Sequence, residues 1–144
     1  MAALSDYLEN KLIDHLLRAT SYTAPATTYV GLLTAAPSDS GGGTEVSGGS
    51  YARASVASGT SAWTATQGGT SGASSGTGGT TGNAATINFA TPTAGWGTVT
   101  HFGVYDASTG GNLLFYGALT ASKVINSGDS VSFAAGALTL QIDN

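Results

Sequence analysis

Beyond Pro25 the chain never holds one run for long. Short stretches of alternating apolar and polar residues are cut repeatedly by glycine, serine, asparagine or aspartate. Alternation sends successive side chains to opposite faces of a strand, and the glycine-rich breaks supply turns. The stretches are TYVGLLTA (28–35), YARASVAS (51–58, with SAWTA at 61–65 continuing it), AATINFA (84–90), GTVTHFGVYD (97–106), NLLFYGAL (112–119), SKVINSGDSVSFA (122–134) and GALTLQID (136–143). Ala85, Ile87 and Phe89 face inward in one; Leu138, Leu140 and Ile142 do so in another. In GTVTHFGVYD, Val99, His101, Gly103 and Tyr105 share a face, and Thr98, Thr100, Phe102 and Val104 share the other. ASTGG, lying between two apolar runs, predicts a β-hairpin. The fold class that follows is mainly β: an antiparallel β-sandwich, jelly-roll-like or Ig-like, with one N-terminal α-helix.

The helix is the one segment with a different period. Leu4, Leu8, Leu12 and Leu16 recur every fourth residue, and the charged residues fall largely elsewhere around the wheel. Ser5 is placed to cap it, Asp6 and Glu9 suit the positive end of its dipole, and Asp14 and Arg18 are spaced for an ion pair. The chain therefore divides into an N-terminal helical segment, 1–24, and a β-sandwich domain, 25–144. The apolar face of the helix has two possible uses, packing on its own domain or docking on a partner subunit. In the second case Leu8, Leu12 and Leu16 are interface residues.

Residues 66–83, TQGGTSGASSGTGGTTGN, have no charge and no side chain larger than glutamine. Such a Gly/Ser/Thr-rich loop cannot drive a core. Its expected support is a neighbouring subunit, with Gly68, Gly69, Gly78 and Gly79 at the contact.

Composition narrows function by exclusion. Four Lys and Arg against eight Asp and Glu, with the four cations scattered, argue against nucleic acid as a partner. Charged residues are 8% of the chain, against about 25% in ordinary soluble domains. A surface of Gly, Ser, Thr and Ala can be buried against neighbours with little ionic desolvation, which suits an assembly subunit. Cysteine is absent, so neither disulfides nor thiolate metal sites arise. No basic leader region opens the chain, and no apolar run approaches the ~18 residues needed to cross a bilayer, so no membrane partner is expected.

The residues offer little chemistry. His101 and Asp106 lie five apart in a strand, hence on opposite faces and about 16 Å from each other. That separation defeats a base and its orienting acid, and Asp106 reads better as the residue opening a turn. His15, on the helix, has no second ligand at a metal-binding spacing. Asp39 and Glu45 flank glycines but lack the dense oxygen spacing of a calcium loop, and Asp129 in NSGDS is a turn residue. Tyr51, Trp63, Trp96, Tyr105 and Tyr116 could form a sugar-stacking face, but aromatics at strand positions are more often core. No phosphate loop, dinucleotide fingerprint or nucleophile elbow occurs. No enzyme activity, cofactor or metal is expected.

Several segments, in order, carry a resemblance: LSDYLENKLIDHLLR, TYVGLLTAAPSDSGGGTEVSGGSYAR, WGTVTHFGVYDASTGGNLLFYGAL and SGDSVSFAAGALTLQID. Together the chain resembles a family of small tailed-bacteriophage virion proteins, often labelled tail fibre or minor tail protein. GTEVSGGSYAR and GTVTHFGVYDA carry most of the likeness, and the loop at 66–83 is longer and richer in glycine than the family pattern. The resemblance implies a place in the virion, assembled in the host bacterial cytoplasm, and it brings no catalytic residues. The chain has neither a heptad seam nor a collagen-like repeat, so it makes an odd fibre. The leading expectation is therefore a capsid decoration or cement protein. It would be a homo-oligomer, with a trimer as one form, bridging the major capsid protein or other virion proteins. The alternative is a tail- or fibre-associated structural protein or adhesin that binds host surface glycan.

Overall fold

The computed structural model describes residues 2–142. Its frame is one antiparallel sheet. Strands β1 (Ala3–Leu4), β2 (Thr27–Ala35), β3 (Thr44–Glu45), β4 (Ala54–Ala57), β7 (Gly97–Tyr105) and β8 (Leu113–Ile125) belong to it, in the order β1-β8-β7-β2-β3, with β4 also on β2. Two short ladders make the second layer: β5 (Thr80–Gly82) with β10 (Thr139–Gln141), and β6 (Ile87–Asn88) with β9 (Ser132–Phe133). The molecule is thus a β-sandwich with one helix, α1 (Asp6–Leu17), as the alternation predicts.

Alternation places the core. Val30 pairs with Val104 and Leu32 with Phe102 across β2 and β7, so all four side chains share the inward face. Val30, Phe102 and Val104 pack with Ile87, Leu138 and Leu140 of the second layer. Leu32, Val46, Trp96, Val99 and Ile125 form an adjoining cluster. Burial of such side chains stabilises the fold by about 1.5–3 kcal/mol each.

Asn83 joins the two ladders of the second layer. It is buried, its amide nitrogen donates to Ala85 O and Ala134 O at 2.8 Å each, and its Oδ1 accepts from Leu138 N at 2.9 Å. A buried amide with its donors and acceptor used fixes register as well as adding stability.

The helix starts where expected. Ser5 is its N-cap, with Oγ accepting from Leu8 N, and the same Oγ donates to Leu113 O of β8. Asp14 and Arg18 form their i,i+4 pair at 2.8 Å. Leu4 is not in the helix but pairs with Phe115 in β1, because the cap at Ser5 requires extended backbone at and before it.

Several strand expectations change. NLLFYGAL and SKVI are one strand, β8, and not two. β8 has thirteen residues against nine in β7, and the surplus leaves as a bulge. Val99 pairs with Lys123 and His101 with Ala118, so two steps on β7 face five on β8. The irregularity also breaks the alternation on β7: Val99 is fully buried beside Leu32, whereas His101, expected on its face, is half-buried. SAWTA is a turn whose Trp63 makes a single bridge to Asn83. Residues 80–82, expected in the loop, form β5. Ile142 is exposed because the β5–β10 ladder ends at Gln141; the end of GALTLQID, Asp143, lies outside the described residues.

Candidate functional site

The densest cluster of polar side chains lies on the face of the main sheet away from the core. Two in-strand glycines make room for it. Gly31 and Gly103 are paired across β2 and β7. A Cβ on Gly31 would come within 2.9 Å of Glu45 Oε1 and 3.1 Å of the Tyr105 ring, and one on Gly103 within 2.8 Å of that ring. Glycine inside a strand marks such an approach.

Over this floor Arg53 lies flat on Tyr105, its guanidinium 3.5 Å from the ring centroid. Nε and Nη2 donate to the two oxygens of Glu45 at 2.8 Å each. Nη1 donates to Ala107 O and Gly110 O, both at 2.8 Å, in the turn of the β7–β8 hairpin. Tyr51 Oη accepts from Leu32 N and donates to Glu45 Oε1, again at 2.8 Å. The Arg53 side chain is only 7% exposed. A bidentate pair whose arginine also aims Nη1 at two carbonyls is the arrangement that tolerates burial.

The charges respond accordingly. Burial works against the Arg53 cation, but the hydrogen bond and charge of Glu45 outweigh it and its pKa is raised. Burial, reinforced by the Glu45 charge, pushes the Tyr51 phenol well above its ordinary value, and Tyr105 is raised for the same two reasons. On another edge Tyr116 donates to Asp39, and that hydrogen bond holds its phenol up to about 12. Chemically this is a clamp: its nucleophiles and acids are occupied by one another.

His101 and Asp106 are not brought together as a pair. His101 Nδ1 contacts Thr100 Oγ1 at 2.8 Å. Asp106 accepts from Asn112 N and Nδ2 at 2.7 Å each and closes the hairpin turn, as the sequence predicts. His15 Nδ1 accepts from Tyr22 N at 3.2 Å. Among the described residues no three His, Asp or Glu cluster as metal ligands. Trp96 is buried in the core with Tyr51 edge-on to it at 5.2 Å, and Tyr105 is buried beneath Arg53, so these three aromatics are covered and offer no stacking platform.

The three helix leucines do not share one surface. Leu8 is buried within the chain, Leu12 is half-buried, and Leu16 is 73% exposed beside the exposed Ile13 and Leu17. In the glycine-rich loop Gly68, Gly69 and Gly78 are exposed and Gly79 half-buried. The loop has internal ties: Gln67 donates to Ala73 O and accepts from Ser75 N, and Thr66 Oγ1 accepts from Gly76 N.

Sequence reasoning missed the Arg53 clamp, though signals for it exist. Arg53 is the one arginine after Arg18 and Glu45 the one glutamate after Glu9, in a chain with very few charges. The segments that carry the family resemblance, GTEVSGGSYAR and GTVTHFGVYDA, supply Glu45, Tyr51, Arg53, Gly103, Tyr105 and Ala107, so they are the ones that build it.

No curated protein matches the chain. One protein-family model does, over residues 3–141, and its description is podophage GP4 fiber I protein gp80. With nearly the whole fold inside that match, the chain belongs to the Gp80 family, a family of phage virion structural proteins described as fibre proteins.

Proposed function

We propose that this protein is a tail- or fibre-associated structural subunit of a podophage virion, working without catalysis through contacts between subunits. The observation that carries the reading is the family match over residues 3–141, described as a fibre protein. That description ranks the fibre reading above capsid decoration, the leading expectation from the sequence. The site geometry agrees with a structural role, since Arg53, Glu45 and Tyr51 bond one another and the backbone and so rigidify the sheet. With Trp96 buried in the core and Tyr105 buried under Arg53, a host-glycan platform gains no support from these aromatics. Partners are other virion proteins, reached through exposed surface such as Ile13, Leu16 and Leu17 on the helix.

Copy number tests the proposal. Quantitative mass spectrometry of purified particles should give far fewer copies of this chain than of the major capsid protein, and immunogold labelling should mark the tail. Parity with the capsid protein would return decoration to first place.

A further inference from the structure

Along its solvent side, α1 changes character halfway. Asp6, Glu9 and Asn10 are exposed on the first turns, and Ile13, Leu16 and Leu17 on the last. Spaced three or four apart, they form one stripe opposite the buried Leu8. Ile13 is 51% exposed and Leu17 81%. A third carboxylate joins the acidic end. Asp6 N donates to Asp39 O at 2.9 Å, and Asp39 accepts the Tyr116 hydroxyl. The Tyr116 phenol, raised first by that bond, also feels the charges of Asp39, Asp6 and Glu9, which gathers all three around it. Contiguous apolar side chains bordered by polar ones mark a contact surface. Apolar residues at i, i+3 and i+4 are the anchors by which a helix enters a groove.

Charge decides what can cover the stripe. Three carboxylates repel nucleic acid and anionic membrane surfaces. A second copy brings little to meet them, because the chain has four Lys and Arg against eight Asp and Glu. Arg53 is buried in its clamp, and Arg18 holds Asp14. Lys11 is on the same helix, over the Tyr7 ring at 5.6 Å from its centroid. That leaves Lys123, where β8 rejoins β7, against three acids. Two copies would also each carry a net charge of −4. Resting on the structural-subunit reading above, we propose that α1 docks in an apolar groove of a different virion protein, anchored by Ile13, Leu16 and Leu17, with lysine or arginine of that partner facing Asp6, Glu9 and Asp39. The change of character along the helix sets the direction of docking: the basic end of the groove lies at Asp6 and the apolar end at Leu17.

Competition during particle assembly tests this. In particles offered wild type and variant together, Leu16→Glu and the pair Asp6→Lys with Glu9→Lys should each be incorporated about tenfold less than wild type. Ser71→Lys, in the glycine-rich loop, should be incorporated equally. All these positions are exposed, and circular dichroism would verify folding. Asn10→p-benzoylphenylalanine, between the acids and the leucines, should cross-link on illumination to another virion protein. Reversing lysines or arginines to glutamate at the linked surface of that protein should restore the Asp6→Lys, Glu9→Lys pair. Equal incorporation of the helix variants, a cross-link to a second copy of this chain, no cross-link to any virion protein, or no rescue would each overturn the proposal. A rescued cross-link to the major capsid protein would uphold this docking and defeat the fibre reading, so the two can fail separately.

Discussion

The β7–β8 hairpin has two ends with opposite characters. At the turn, Asp106 holds Asn112, Arg53 reaches across to Ala107 and Gly110, and Gly31 and Gly103 let Tyr105 settle under the guanidinium. At the far end, β8 bulges away from β7 and four of its residues have no partner. Both ends are built mostly from small, uncharged residues. The difference lies in what the rest of the chain brings to them: one arginine, one glutamate and two tyrosines meet at the turn, and a groove opens at the other end. Rigidity here comes from polar groups that are buried and satisfied, and openness comes from backbone that bulges off the ladder unpaired.

The contrast breaks most severely if Arg53 is removed. Arg53→Ala leaves the Glu45 carboxylate half-buried without its partner and frees two turn carbonyls. Losing one member of a buried pair costs about 3–5 kcal/mol, a large share of the roughly 5–15 kcal/mol that holds a domain together. Thermal unfolding should show a steep drop in midpoint. Arg53→Lys should recover only part of it, since an ammonium cannot make the bidentate contact. An unchanged midpoint would mean that the clamp does not hold the turn.

Gly103→Ala should come next. The new methyl would sit 2.8 Å from the Tyr105 ring and 2.9 Å from Leu113 Cδ1, and both neighbours are buried. Overpacking of this kind costs about 1–3 kcal/mol, measurable by urea unfolding. A neutral outcome would show that the face above the sheet is loosely packed.

These two positions also mark what a sequence can disclose. A glycine inside an alternating run signals close approach, but that signal does not name the neighbour, and the sequence places Gly103 only on a strand face. The helix cap at Ser5 and the turn at Asp106 were legible because their bonding partners lie within a few residues. The Arg53 clamp joins residues up to 57 apart, and no local period links them. The single strand β8 was hidden for a related reason: its bulge arises from the mismatch with β7, a property of the pair and not of either run. The exposure of Leu16 beside a buried Leu8 was equally out of reach, because both occupy the same helical stripe and only the edge of the sheet decides where cover ends.

A smaller effect, absent near neutrality, should appear in alkali. Tyr51 and Tyr105 have phenols raised by burial first and by the Glu45 charge second, and Tyr116 is raised to about 12 by Asp39. A raised phenol contributes stability that is complete below its unfolded value of about 10. That contribution is lost as pH climbs from there through the folded value, because the unfolded chain releases its protons first. Stability should therefore be flat with respect to these groups up to about pH 10 and then fall through about pH 12. Tyr51→Phe, though less stable at neutral pH for want of two hydrogen bonds, should lose less over that same alkaline range. An identical slope in the variant would remove Tyr51 as a source of the alkaline loss.

The least effect belongs to the open end. Ser122 is exposed and lies in the stretch of β8 that has no ladder partner. Ser122→Ala should therefore change the stability of the isolated chain by no more than about 0.5 kcal/mol, against several at Arg53. The two ends of one hairpin would then differ several-fold in what a single side chain contributes. If Ser122→Ala instead destabilised the chain by as much as Gly103→Ala, the bulge would be a packed element, and the contrast between a fixed turn and an open bulge would be lost.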